Sequence, residues 1–395
     1  MSASVSYEQA LSLLPRISAG SETIPIAQAA GRRLTGDIIA GIDRPSDTVS
    51  AMDGYAVRLR DVGEAGTQLT VIGEAPAGHP YTGEVRSGQA LRIFTGGVVP
   101  KGADHIVIQE DVARAGDQIT TRRAYTGEEF VRAAGMDFHK GKVLLGKGHI
   151  LEPASIGLAS AANVADVTVV KRPRIAILTS GDELKPAGSV LGVGDVVNSN
   201  LYALSAAITA WGGEAVNLGI ACDDISDIQS RIASGEDIDL FLPVGGASVG
   251  DHDLMRPAFA DLGFVSVFDR VAVRPGKPTW CSTRDQTCVL GLPGNPASAL
   301  VCARLFLKPM LTDKPNRMFP VVSDSPISAN GPRAHFMRAN VSVGPGGALS
   351  AKPASNQDSS LIGPMVECNA LLYRQANAEA IEPGQTAFVI MTGDL

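Results

Sequence analysis

The sequence predicts a multidomain α/β fold: a central domain on a parallel-type sheet, a β-rich module before it and a C-terminal β domain after it. Three observations carry this expectation. Strand-like and helix-like runs take turns from Arg172 to about Leu311, the pattern of a parallel sheet with helices on both faces. Short β-prone runs between Gly/Pro turns fill the stretch from about Gln68 to Arg123. β texture returns after about Pro320.

The first run, Tyr7 to about Ile17, has apolar residues at helical spacing and stops near Pro15 and Gly20. Leu69–Ile72, Ala90–Phe94, His105–Ile108 and Gln118–Thr121 are the β runs of the module. In the central region Arg174–Thr179 is an apolar strand. Leu201–Trp211 is a helix that ends at Gly212-Gly213, a C-terminal stop signal. Strands at Ala215–Ile220 and Ile238–Val244 flank a helix at Asp224–Ala233. A helix at Asp253–Leu262, strands at Phe264–Val273 and Thr287–Leu292, and a long apolar helix at Ala297–Met310 complete the region. Phe336–Val343, Ala370–Arg374 and Ala387–Met391 are the strands of the last domain. Ligands of open α/β sheets sit at the carboxyl ends of the strands. The loops to watch are therefore Ser180–Leu184, Gly245–Asp253 and Pro293–Pro296.

Composition narrows the function classes. The chain has 395 residues, 34 Lys+Arg against 41 Asp+Glu and a net charge of −7, which argues against a general nucleic-acid binder. The five cysteines are odd in number and form no C-x-x-C, so neither a disulfide framework nor a zinc knuckle is expected, and a reducing cytoplasm is the default. The N-terminus lacks a basic stretch followed by an apolar one, and no secretory signal is expected. The uncharged windows Val196–Gly213 and Gln286–Ala303 are interrupted by Asn, Ser and Pro, and neither reads as a membrane span.

Several segments carry chemistry, each beside a plainer reading. Gly245-Gly246-Ala247-Ser248-Val249-Gly250 follows a strand and precedes a helix; its backbone N–H groups suit an anion, or it is a tight turn. It also fits the G-x-S-x-G nucleophile elbow, with Ser248 as nucleophile and His335 late in the chain. Asp251-His252-Asp253 either caps a helix or holds a hard cation. Ser180-Gly181-Asp182-Glu183-Leu184 places two acids at a strand's carboxyl end, or is a solvated turn. Arg270, Arg274 and Lys277 lie within eight residues, two of them in a Pro/Gly turn; they suit an oxyanion, or form an ordinary charged loop. Gly291-Leu292-Pro293-Gly294-Asn295-Pro296 has a complete structural account, with Asn295 as N-cap and Pro296 near the first helical position. It also offers a stiff wall to a cleft.

Taken in order, these segments resemble the MoeA/gephyrin E-domain family, the molybdopterin molybdenumtransferases. Ser-Ala-Met-Asp-Gly-Tyr-Ala (50–56) comes first, then Phe-Thr-Gly-Gly-x-x-Pro-x-Gly-Ala-Asp (94–104). Ser-Gly-Asp-Glu-Leu (180–184), Val-Asn-Ser-Asn (197–200), Gly-Gly-x-Ser-x-Gly (245–250), Arg-Pro-Gly-Lys-Pro (274–278) and Gly-Leu-Pro-Gly-Asn-Pro (291–296) follow.

The resemblance implies four domains: a molybdopterin-binding α/β domain (1–26 with 172–315), a linking domain (27–47 with 138–171), an inserted β-rich module (48–137) and a C-terminal β domain (316–395). It implies a homodimer with a cleft shared between subunits. It also implies molybdate insertion into adenylylated molybdopterin with release of AMP and Mg²⁺ as the metal. A molybdopterin adenylyltransferase and molybdoenzyme clients are the implied partners. A non-catalytic scaffold or cofactor-insertion chaperone is the alternative within the family.

The resemblance implies catalytic positions at the acids Asp53, Asp137, Glu183, Asp223 and Asp253 and at Thr95, the family's threonine in the inserted module, with Glu183, Asp223 and Asp253 as metal ligands. Gly245, Gly246, Ser248, Arg270, Arg274, Lys277, Pro293, Asn295 and Pro296 fall on substrate-binding positions, and Arg338 and Ser359 border the molybdate site. The chain departs from the family where Gly135-Met136-Asp137 replaces Gly-Glu-Asp and where Arg274 replaces Lys. The physical logic agrees. Two carboxylates ~4 Å apart repel by about 4 kcal/mol at an effective dielectric of 20, which a divalent cation relieves, and oxygen-only ligands favour Mg²⁺. Molybdate, a tetrahedral dianion, needs the cationic turn instead.

Overall fold

The computed structural model describes residues 4–17, 19–245 and 254–393. The chain divides into two compact units, Met1–Gly20 with Lys171–Leu395, and Ser21–Val170.

In the first unit six strands form one sheet in the order Glu214–Ala221, Arg174–Ser180, Leu240–Val244, Thr287–Gly291, Trp280–Arg284, Val265–Phe268. The first four are parallel; the last two pairings are antiparallel. The alternation of side chains explains why these strands are apolar almost throughout. Ile175, Ile177, Leu240, Leu242 and Leu290 enter one core with Leu204 and Ile208 of the Ser199–Ala210 helix and the buried face of Pro296–Cys302. Ala176, Leu178, Phe241 and Val289 enter a second core with Ile228, Ile232 and Phe259 from the Ile225–Ala233 and Met255–Asp261 helices. Both faces are buried, so no polar alternation is left.

Two readings change in detail. Phe264–Val273 is two strands: the chain leaves the sheet after Phe268, and Val273–Arg274 joins the C-terminal sheet beside Ala334 and His335. Val271 and Val273 are buried in the shared core, which draws the chain across. The Ala297–Met310 helix is Pro296–Cys302, a π-helical turn Ala303–Leu307 and Lys308–Thr312, with Pro309 supplying no N–H at the junction.

The C-terminal strands close on themselves. Ala334–Val343 pairs with both Leu349–Pro353 and Ala370–Arg374, and Phe319–Ser323 and Thr386–Met391 complete the ring. Small and branched residues, Ala339, Val341, Ala351, Ala370, Leu372, Ala387 and Val389, fill the narrow barrel. The outward-facing Ala334, Phe336, Leu371 and Ile390 belong to the same core as Ile175 and Leu204. Tyr7–Leu13, with a Ser6–Gln9 capping box, lies against both. The Tyr7 ring is 5.9 Å from Phe306 and 4.9 Å from Phe336, edge-on in each case.

The second unit holds a six-stranded sheet, His105–Ile108, Gly54–Val57, Gln89–Ile93, Gln68–Ala75, Gln118–Thr121, Val112–Ala115. Two strand pairs bracket it in sequence, Ser21–Pro25 with Asp166–Val170 and Ile38–Ile39 with Val143–Leu145. Residues 21–25 therefore pair with the segment read as linking, not with the α/β domain in which 1–26 was grouped. No helix among the described residues is long and apolar enough to cross a membrane.

Candidate functional site

The carboxyl ends of the parallel strands open into a pocket of about 670 Å³. Its floor is polar and fully paired. Asn198, 2% exposed, donates from Nδ2 to Thr179 Oγ1 at 2.9 Å, and Thr179 donates to the Gly219 carbonyl at 3.2 Å. Asn198 Oδ1 accepts the Leu201 N–H at 3.3 Å, capping the Ser199–Ala210 helix. The capped first turn of this helix lines the pocket with Ser199 and Asn200.

One wall is the link Pro293-Gly294-Asn295-Pro296. Asn200 Nδ2 braces it by donating to the Gly294 carbonyl at 2.7 Å. Gly294 packs against Gly245, where a Cβ would meet Gly245 Cα at an ordinary van der Waals distance of 3.4 Å. Asn295 occupies the N-cap position, but its side chain does not cap. Nδ2 donates instead to Ser359 Oγ at 2.8 Å, and the Ala297 N–H donates to the Ser359 carbonyl at 3.1 Å. Ser360, next in the chain, lines the pocket.

Glu183 lines the opposite side, near Ser180. Gly181 sits at φ +141°, and a Cβ there would be 2.5 Å from Glu183 Oε2, so only glycine lets this carboxylate fold over the turn. Gly245 closes the strand end at φ +92°. Asp223 lies exposed just beyond the Glu214–Ala221 strand; it is not among the pocket's lining residues. Gly246, Ser248 and Asp253 lie outside the described residues, as does the nucleophile-elbow sequence around them. Among the described residues no three His, Cys, Asp or Glu side chains gather for a metal. Glu183 and Asp223 offer the hard oxygens Mg²⁺ takes, but the set is not closed among the described residues.

The basic turn borders the pocket through Pro278. Arg274 and Lys277 are exposed and Arg270 is half-buried. Gly276 holds the turn at φ +112°, where a Cβ would overlap Cys302 Sγ. Arg274 is the lateral neighbour of His335, which in turn faces Arg374 on the next strand. Burial, then Arg274, Arg333, Arg338 and Arg374, push the His335 pKa down to about 4, so this imidazole is neutral. Arg338 is 2% exposed. It donates to Gln357 Oε1 (3.3 Å) and to the carbonyls of Asp358 (2.9 Å) and Asn356 (3.3 Å). Its fork is thereby committed to the loop that carries Ser359.

In the second unit Asp53 Oδ1 accepts the backbone N–H (2.8 Å) and hydroxyl (2.9 Å) of Thr95. These bonds hold its carboxyl below the usual range. Gly54 is obligatory: a Cβ would collide with the Val107 carbonyl oxygen. Asp137 is exposed and 3.6 Å from Arg44 Nε. Met136, where the family pattern has an acid, is 71% exposed.

The structure therefore brings together Glu183, Gly245, Pro293, Asn295 and Pro296 in one pocket, with Ser359 behind Asn295. It pairs Asp53 with Thr95 in the other unit. The sequence reading assigned no role to Thr179, Asn198, Ser199, Asn200, Gln357 or Ser360. The Val-Asn-Ser-Asn run was the only available signal, a helix cap beside a strand end.

Three family models match the chain: MoeA N-terminal region (domain I and II) over residues 5–163, a probable molybdopterin binding domain over 176–313, and MoeA C-terminal region (domain IV) over 320–391. The molybdopterin molybdenumtransferase of Haemophilus influenzae is 30% identical over 379 residues, 93% of each chain. That of Nostoc sp. is 35% identical over 309 residues, 76% of this chain and 71% of the relative. The crystal structure of the molybdopterin biosynthesis MoeA protein from Pyrococcus horikoshii superposes over 100% of both chains, with a TM-score of 0.83 and 27% identity.

Proposed function

Because the chain belongs to the MoeA family, we infer that it acts as a molybdopterin molybdenumtransferase in molybdenum cofactor biosynthesis, with the strand-end pocket as its substrate site. The reaction we propose takes adenylylated molybdopterin and molybdate, breaks the pyrophosphate linkage, releases AMP and leaves molybdenum on the pterin dithiolene.

The observation that carries this reading is the pocket's construction. Its floor is internally hydrogen-bonded, a helix N-terminus faces in, and a doubly braced backbone wall presents fixed dipoles. Such a surface orients a large polar ligand without reorganising. No cysteine lines the pocket, and burial raises the Cys288 and Cys302 thiols to about 11 and about 12.

We assign the acids Glu183 and Asp223 to the phosphates and Mg²⁺, and the ion would supply polarisation of the phosphate oxygens. Arg274 and Lys277 draw in molybdate with charge-assisted hydrogen bonds. Asp53 and Thr95 we assign to the same reaction in a homodimer, where a partner subunit completes the cleft. Asp137, Arg270 and the undescribed Gly246, Ser248 and Asp253 keep the roles the resemblance gives them. A cytoplasmic enzyme fed by a molybdopterin adenylyltransferase and drained by molybdoenzymes fits this chemistry.

The test is turnover: adenylylated molybdopterin, molybdate and Mg²⁺ in, AMP and active cofactor out, with Glu183→Gln as the impaired variant. A wild-type chain that binds the nucleotide but never yields AMP would overturn the reading in favour of a scaffold.

A further inference from the structure

The loop after the Leu349–Pro353 strand brings Ser359 and Ser360 to the pocket, and one side chain outside the proposed reaction ties that loop to the barrel. Gln357 Oε1 accepts the Arg338 backbone N–H at 3.0 Å. Gln357 Nε2 donates to the Arg338 carbonyl at 2.9 Å and to the Ala354 carbonyl at 3.0 Å. The carboxamide thus takes the place of a peptide group on a neighbouring strand, pairing with both backbone groups of a buried residue in Ala334–Val343. The Arg338 guanidinium adds bonds to Gln357, Asn356 and Asp358. From Asp358 the chain runs directly to Ser359, whose hydroxyl and carbonyl hold Asn295 and Ala297.

We propose that Gln357 is a positioning residue. With Arg338 it fixes Ser359, Ser359 fixes Asn295, and the barrel thereby sets one wall of the substrate pocket without touching substrate. Arg338 then works as part of the frame, with Nε, Nη1 and Nη2 each donating one hydrogen bond to the loop. The inference rests on the pocket being the adenylylated molybdopterin site. A wall displaced by a fraction of an ångström is enough to weaken a pre-organised site severalfold or more.

Gln357→Met keeps the volume and removes both the donor and the acceptor. KM for adenylylated molybdopterin should rise about tenfold, with kcat changed less than twofold. In a Ser359→Ala background the same substitution should add less than it does alone, because the Ser359 hydroxyl bond to Asn295, one of the two contacts it acts through, is already gone. Hydrogen exchange supplies a readout independent of activity. The Ala297 amide should exchange at least tenfold faster in Gln357→Met, while the Leu201 amide, held by Asn198, should be unchanged. Multiplicative effects in the double variant, or an Ala297 amide protected as in the wild type, would overturn the proposal. If Gln357→Met does not fold, Gln357→Glu keeps an acceptor for Arg338, loses both donors, and is judged by the same criteria. A wild-type chain without turnover counts against the proposed function alone, since the exchange measurement still decides the positioning role.

Discussion

His335 should stay uncharged through mildly acidic pH, and its refusal to protonate should be measurable as acid sensitivity. The imidazole is buried on the strand Ala334–Val343, with Arg274 and Arg374 as its lateral neighbours and Arg333 and Arg338 nearby. Its pKa falls from the ordinary 6.5 to about 4. In the unfolded chain the group binds a proton below about 6.5, whereas the native chain binds it only near 4. Native stability therefore holds above pH 6.5 and is lost as pH falls from 6.5 toward 4. The full interval corresponds to about 3.4 kcal/mol at 1.36 kcal/mol per unit. Arg274 is exposed and screened by water, which brings the expected contribution to about 2 kcal/mol. His335→Gln removes the titration, so the variant should lose about 2 kcal/mol less than wild type between those pH values. Both tryptophans, Trp211 and Trp280, lie in the first unit, so urea unfolding followed by their fluorescence reports the relevant half of the molecule. Arg274→Ala should raise the His335 pKa by about half a unit to one unit in an NMR titration, as expected for one screened charge at strand spacing. Parallel stability curves for wild type and His335→Gln, or a measured pKa above 6, would refute this account.

Three further outcomes are expected. Gly276→Ala should destabilise the first unit by about 3 kcal/mol, combining overlap at Cys302 Sγ with a strained φ of +112°; Cys302→Ala should restore part of that loss in the same unfolding assay. Thr95→Val removes one of two donors to Asp53 Oδ1, so the Asp53 carboxyl should titrate closer to its ordinary value by NMR. The acid limb of turnover should move to higher pH with it. Arg274→Ala and Lys277→Ala should each raise the molybdate requirement for cofactor formation about ten-fold to a hundred-fold, the worth of one charge-assisted hydrogen bond. An unchanged requirement with impaired AMP release would place these cations on the nucleotide phosphates.

The central sheet was readable because strands buried on both faces are continuous apolar runs, and helices such as Ile225–Ala233 keep a clear apolar side. The pocket loops followed from the strand ends alone. What remained hidden depends on partners far away in sequence. Trp280–Arg284 went unread because it is bounded on one side only by Asp285 at φ +53°. Val273–Arg274 could not be separated from Val265–Phe268 without its pairing to Ala334 and His335. Asn295 looked like a cap because local chemistry favours one; its bond to Ser359, 64 residues on, took that side chain away. The bonds from Arg338 to Asn356, Gln357 and Asp358 were hidden because an arginine's charge is visible in sequence and its hydrogen-bond partners are not.

The packing of Tyr7–Leu13 sets a timetable for synthesis. Tyr7 is synthesised long before the rings it meets, which belong to Phe306, Phe336 and Tyr373. Its hydroxyl accepts from Asn316 at 3.2 Å. Asn316 also receives Arg304, which reaches on to the Met391 carbonyl at 2.9 Å. A seven-residue helix has little stability of its own, so it must wait for these distant segments before it can dock. Ser21–Val170 is contiguous and complete long before that. Translation should therefore yield one finished unit tethered to an unfinished one, whose apolar sheet stays open until its last strand arrives. A chain stalled anywhere between residues 171 and about 390 would be the species that most needs a chaperone.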